Sequence, residues 1–99
     1  MDRVERVADQ WMSWWNDQYA RVNDTGIVRW SVQEAMRSLE EAIEAGGSGP
    51  TFNPRGLRER TGERDWTRDE LILLYRSLST SASFFEYTPR TYRTTDGPP

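Results

Sequence analysis

The stretch from Asp2 to Val22 constrains the fold more than any other part of the chain. At about 100° per residue on a helical wheel, Val4, Val7, Ala8, Trp11, Met12, Trp14, Trp15, Tyr19 and Val22 share one arc of roughly 160°. Charged and polar residues fill the remainder, and only Gln18 intrudes on the apolar side. This predicted helix holds three of the five tryptophans in a chain of 99 residues. Such an arc is wider than one neighbouring helix can cover. Either two elements of the same domain pack on its shoulders, or one shoulder is left for a partner. Trp11, Trp14, Trp15 and Tyr19 are therefore candidate partner-binding residues as well as candidate core.

Asn23-Asp24-Thr25-Gly26 is a turn-rich cluster that should end this helix. Ile27 to Trp30 is too short to classify, and is either a brief extended segment or the apolar lead-in to a second helix. Ser31, followed three residues later by Glu34, has the spacing of a capping box, with Trp30 and Ala35 placed as its hydrophobic staple. The spacing thus predicts a second helix starting at Ser31. Val32, Ala35, Met36, Leu39, Ala42 and Ile43 form its stripe, and Gly46-Gly47 stops it.

Gly46 to Pro50 reads as a flexible joint. Asn53-Pro54 can open a short helix over 54–61 that Gly62 closes. Arg55, Arg58, Arg60, Arg64 and Arg68 crowd this part of the chain, interleaved with Glu59, Glu63 and Asp65. Such a segment is either a solvated loop or a guanidinium cluster that grips phosphate or a carboxylate-rich partner. Thr67 and Glu70 form a second capping box, with Trp66 and Leu71 as its staple. Leu71, Leu74, Tyr75 and Leu78 make the stripe of the third main helix, and Ile72 and Leu73 widen it nearly all round. Trp66-Thr67-Arg68-Asp69-Glu70-Leu71 resembles the opening of a Myb/SANT DNA-binding repeat. The resemblance covers only these six residues. The later spaced aromatics and basic recognition helix of that family have no counterpart here, so the family is not adopted.

After Leu78 the chain turns to Ser, Thr and aromatics. A helix can continue through Ala82 and Phe85, or an extended arm can begin near Ser83. Thr88 precedes Pro89 and is biased away from helix. Phe84, Phe85, Tyr87 and Tyr92 are too apolar to be left in water, and must dock on this domain or on another chain. The expected organisation is all-α: a small bundle of three main amphipathic helices plus a short helix and an extended C-terminal arm, with a helical domain over 1–82 and the arm or tail over 83–99.

Absences narrow the chemistry. The chain has no Cys and no His, which removes thiol and imidazole nucleophiles, bases and the commonest metal ligands. Glu40, Glu41 and Glu44 read as an exposed helix face, not as a metal site. No cofactor motif is present, and an enzyme is not expected. All 13 basic residues are Arg, which suggests a GC-rich bacterium or one of its phages as the source. The net charge of −3 opposes bulk nucleic-acid binding. No apolar run reaches membrane-span length, and Met1 to Glu5 lacks the apolar stretch of a signal peptide. The expected location is the cytoplasm, or the virion for a phage protein. The leading expectation is a small interaction or assembly protein that binds a protein partner or itself through Trp11, Trp14, Trp15, Tyr19, Phe84, Phe85, Tyr87 and Tyr92. An inhibitor acting through its acidic helices belongs to the same class. The alternative is a helix-turn-helix-like nucleic-acid regulator that meets phosphate with Arg55, Arg58, Arg60, Arg64, Arg68, Arg90 and Arg93.

Overall fold

Asp2 begins the first helix by accepting the backbone N–H of Glu5 on its carboxylate at 2.9 Å. Helix α1 then spans Arg3–Arg21, α2 spans Thr25–Glu44 and α3 spans Arg68–Ser83. A computed structural model describes residues 2–21, 25–47 and 65–95. The expected short helix over 54–61, with Arg55, Arg58, Arg60 and Arg64, lies outside the described residues. The chain is an all-α bundle, as its periodicity predicts.

Each helix buries the stripe its spacing dictates. Val7, Ala8, Trp11 and Trp15 of α1 meet Val28, Val32, Ala35, Met36, Leu39, Ala42 and Ile43 of α2 and Leu71, Ile72, Leu74, Tyr75, Leu78 and Ala82 of α3 in one core. Both α2 and α3 pack on α1, which accounts for its wide apolar arc. Helices α1 and α3 run parallel: Arg3 meets Glu70 near one end, the Ser81 hydroxyl donates to Met12 Sδ at 3.1 Å further along, and Tyr19 meets Phe85 at the other. Helix α2 runs opposite to both.

The capping box at Ser31 does not form. Helix α2 starts six residues earlier, at Thr25, and Ser31 lies buried within it. Val28 supplies the reason. It falls four residues before Val32 and seven before Ala35, so extending the helix adds Val28 to the buried stripe. No Pro intervenes to stop that extension. A cap signal only permits a helix start, and here the burial of Val28 decides the matter. Trp30 consequently sits on the outer face of α2 and is no staple. The apolar character of α3 is also narrower than its composition suggests, because Leu73 remains exposed.

Two other local signals hold, the stop at Gly46-Gly47 and the cap at Thr67. Thr25 and Gly26 of the expected turn cluster instead belong to α2, and Glu40 of the expected exposed face is buried. Gly46 N–H donates to the Ile43 carbonyl at 3.1 Å and Gly47 N–H to the Ala42 carbonyl at 3.0 Å, which closes α2 in a Schellman motif. Gly47 has φ 122° and pairs with Thr67, and a Cβ there would lie 2.9 Å from the Trp66 carbonyl oxygen. Gly47→Ala is expected to cost about 2 kcal/mol, from left-handed strain plus this backbone clash, in urea unfolding. Gly46→Ala, with open space around its Cβ position, should cost less.

Thr67 caps α3. Its hydroxyl accepts the Glu70 N–H at 3.1 Å while the Glu70 carboxylate accepts the Thr67 N–H at 3.0 Å. Trp66 and Leu71, the expected staple pair, are both buried. Arg3 adds a long-range clasp. Its guanidinium donates to both Glu70 carboxylate oxygens, at 3.0 and 2.7 Å, and stacks 4.3 Å above the Trp66 ring. The Arg3 hydrogen bond, followed by the Thr67 amide, lowers the Glu70 carboxyl from its ordinary 4.5 to about 2. The folded chain therefore binds this proton less tightly than the unfolded chain does. The stabilisation is fully present above pH 4.5 and is lost as pH falls toward about 2. Solvent screening of this partly exposed pair leaves about 1 kcal/mol of it. Urea midpoints measured across that window should fall in the wild type and fall less in Glu70→Gln.

Candidate interaction surface

Helix α3 ends at Ser83, and Phe84 to Glu86 form a turn in which Glu86 adopts φ 60°. The chain then runs back along α2 and α3 as an extended arm. Side chains of the bundle hold its backbone. Gln33 donates to the Phe85 carbonyl at 2.9 Å and to the Glu86 carbonyl at 3.1 Å. Arg76 donates to the Tyr92 carbonyl at 2.6 Å, and Arg68 to the Arg93 carbonyl at 3.0 Å. Asp69 accepts the Thr95 N–H at 2.9 Å. Among the described residues this arm makes no strand ladder, so these side chains do for it what a sheet edge would do.

Three tyrosines seal the arm. Tyr87 and Tyr92 each meet the Tyr75 ring edge-on, with centroids 6.3 and 5.3 Å away. The Tyr87 hydroxyl donates to Glu40, which also accepts from Tyr75 at 3.3 Å. The Arg90 N–H donates to the Tyr75 hydroxyl at 2.8 Å, and the Arg90 guanidinium lies 3.5 Å from Glu40 and 3.1 Å from Glu44. Tyr92 donates to Glu44 at 2.8 Å. Burial, then the Glu44 carboxylate, pushes the Tyr92 phenol up to about 12. Burial raises Tyr87 and Tyr75 as well, with hydrogen bonding to Glu40 adding to the rise for Tyr87. These phenols stay neutral and act as donors at ordinary pH.

The aromatic candidates named from sequence thus divide into four groups, buried, half-buried, docked and exposed, and the basic candidates are a separate set. Trp11 and Trp15 are buried in the core. Trp14 is half-buried beside a cleft lined by Asp9, Gln10, Ser13 and Asp17. Phe85, Tyr87 and Tyr92 dock on the chain's own bundle. Of the basic set, Arg68 and Arg90 hold the arm in place, and Arg93 contributes its carbonyl while its side chain lies at the surface. Tyr19 and Phe84 remain largely exposed, at 56% and 82%.

Two further residues join them. Ile27 and Trp30 are 57% and 59% exposed and lie three apart, on one face of α2. The chain brings all four to the same end of the bundle. Tyr19 closes α1, Ile27 and Trp30 open α2, and Phe84 follows α3. The Tyr19 and Phe85 rings meet at 5.9 Å, and Arg29 pairs with Glu86 at 3.3 Å across this end. Sequence reasoning missed Ile27 and Trp30 because it placed the start of α2 after them. Extending the phase of Val32, Ala35 and Leu39 back to Val28 puts Trp30 on the outer face.

Among the described residues, no three His, Cys, Asp or Glu side chains gather as a metal site, and no helix is long and apolar enough to cross a membrane. The chain matches no protein-family model, no curated protein and no solved structure.

Proposed function

We propose that this chain is a small non-enzymatic interaction or assembly protein that meets a protein partner, or another copy of itself, through its aromatic end. One observation carries the reading: Tyr19 of α1, Ile27 and Trp30 of α2, and Phe84 just after α3 are each exposed, and the directions of the helices put them at the same end of the bundle. The chain is only 35% hydrophobic, yet it leaves these large side chains uncovered. Gathered apolar and aromatic side chains at a surface are the usual anchors of an interface. Two of the basic residues proposed for phosphate contact, Arg68 and Arg90, are engaged within the chain, which favours a protein partner over nucleic acid. The all-Arg basic complement fits a GC-rich bacterial or phage source, with the host cytoplasm or virion as its place of action.

Affinity capture from a GC-rich bacterial lysate, with and without nuclease, tests this. A stoichiometric protein partner should survive nuclease and be lost from the double variant Trp30→Ser and Phe84→Ser. Recovery that disappears with nuclease, or a partner retained by the double variant, overturns the reading.

A further inference from the structure

The arm is joined to the bundle through a strained hinge. Phe84 and Phe85 continue the helical turn, donating to the Ser81 and Ala82 carbonyls at 3.2 and 2.9 Å. Glu86 then reverses the chain at φ 60°, a left-handed conformation that a residue with a Cβ disfavours. Among the described residues beyond this point, the arm's hydrogen bonds and ion pairs to the bundle run to α2 and α3. Every copy of the chain carries both the arm and the groove that fits it. If Glu86 relaxes to a right-handed or extended conformation, it gives up the Gln33 bonds to the Phe85 and Glu86 carbonyls and the Arg29 pair that hold the closed turn. The arm then points away from its own groove and can enter that of a second copy with the same contacts from Tyr87 onward.

The hinge lies at the aromatic end. Two chains exchanging arms about a two-fold axis cross there, and the crossing brings Tyr19, Ile27, Trp30 and Phe84 of one copy against those of the other. We infer that the aromatic end is the interface of an arm-exchanged dimer, with a second copy of this chain as its occupant. The inference rests on the reading of that end as an interaction surface, and it names the partner.

The chain has no Cys, so single cysteines report without background. Glu44 and Arg90 pair at 3.1 Å with exposed side chains, which makes Glu44→Cys and Arg90→Cys suitable probes. The two single variants are refolded together at high concentration and treated with a short bis-maleimide. A covalent dimer that joins one chain of each variant is expected on a denaturing gel. A chain carrying both substitutions shows that the reagent spans the pair. If that chain cross-links internally while the mixture yields no dimer, the exchange is overturned. Glu86→Gly should lower the dimer fraction roughly tenfold by making the closed hinge easy, and an unchanged fraction also overturns it. A chain that stays monomeric sinks the exchange and leaves the aromatic-surface reading standing. A cross-linked dimer insensitive to Trp30→Ser and Phe84→Ser does the reverse.

Discussion

Trp15→Ala is expected to remove about 3–5 kcal/mol of folding stability. Trp15 is the largest side chain that is completely buried, and it lies on the α1 stripe in the core shared by all three helices. Its loss strips a large apolar area from the core and leaves a cavity that rigid neighbouring helices can fill only in part. Among the described residues the indole N–H has no hydrogen-bond partner, so the substitution breaks no polar contact there and its cost comes from packing. A domain of this size has about 5–15 kcal/mol to lose, so the variant should be marginally folded or molten. Trp30→Ala is the matched control. The same chemical change at an exposed indole should shift stability by no more than about 0.5 kcal/mol. Urea unfolding followed by far-ultraviolet circular dichroism separates the two. If the Trp15 variant unfolds at nearly the wild-type midpoint, the bundle does not pack around α1 as described.

The features legible in the sequence were those written locally. The α1 stripe of Val7, Ala8, Trp11 and Trp15 follows from helical period alone, and the Thr67–Glu70 cap closes within four residues. The stop at Gly46-Gly47 is equally local, since only a left-handed residue completes that motif cheaply. The start of α2 was not legible. Ser31 and Glu34 carry a cap signal, Val28 carries a burial signal, and only the packed bundle shows that burial wins. The docking of the arm was legible in part. Its aromatics announced that they must be covered, but not by what, because their partners lie far away in sequence. Tyr87 reaches Glu40, and Arg68 and Arg76 reach arm carbonyls, through contacts that impose no period on the chain. The same limit applies to the aromatic end. Tyr19 and Phe84 stood out as residues, whereas their grouping with Ile27 and Trp30 depends on three helix ends meeting.

Glu40→Ala is expected to release the arm while the bundle stays folded. Glu40 is a buried carboxylate placed on α2, facing α3 and the arm. It accepts hydrogen bonds from Tyr75 and Tyr87, so it ties all three layers of this face together. Without it, the Tyr75 and Tyr87 hydroxyls keep each other and the Arg90 N–H, and each loses its charged acceptor. Hydrogen bonds to a buried charge are worth about 1.5–3 kcal/mol each, and their loss is only partly recovered by water entering the gap. The arm should therefore lose about 2–4 kcal/mol of docking stability. Glu40→Gln keeps an acceptor oxygen in place and should lose less. Amide hydrogen exchange reads the effect residue by residue, because local opening sets protection. The Arg90 N–H, which donates to the Tyr75 hydroxyl, and the Thr95 N–H, which donates to Asp69, should lose their protection. The amides of α3 around Leu74 and Leu78 should keep theirs, since those residues are held by α1 and α2 as well. If the Arg90 amide remains as protected in Glu40→Ala as in the wild type, Glu40 does not hold the arm. Its burial would then be a by-product of α2 packing, and docking would rest on the bonds to the arm's carbonyls from Gln33, Arg68 and Arg76 together with the contacts to Glu44 and Asp69.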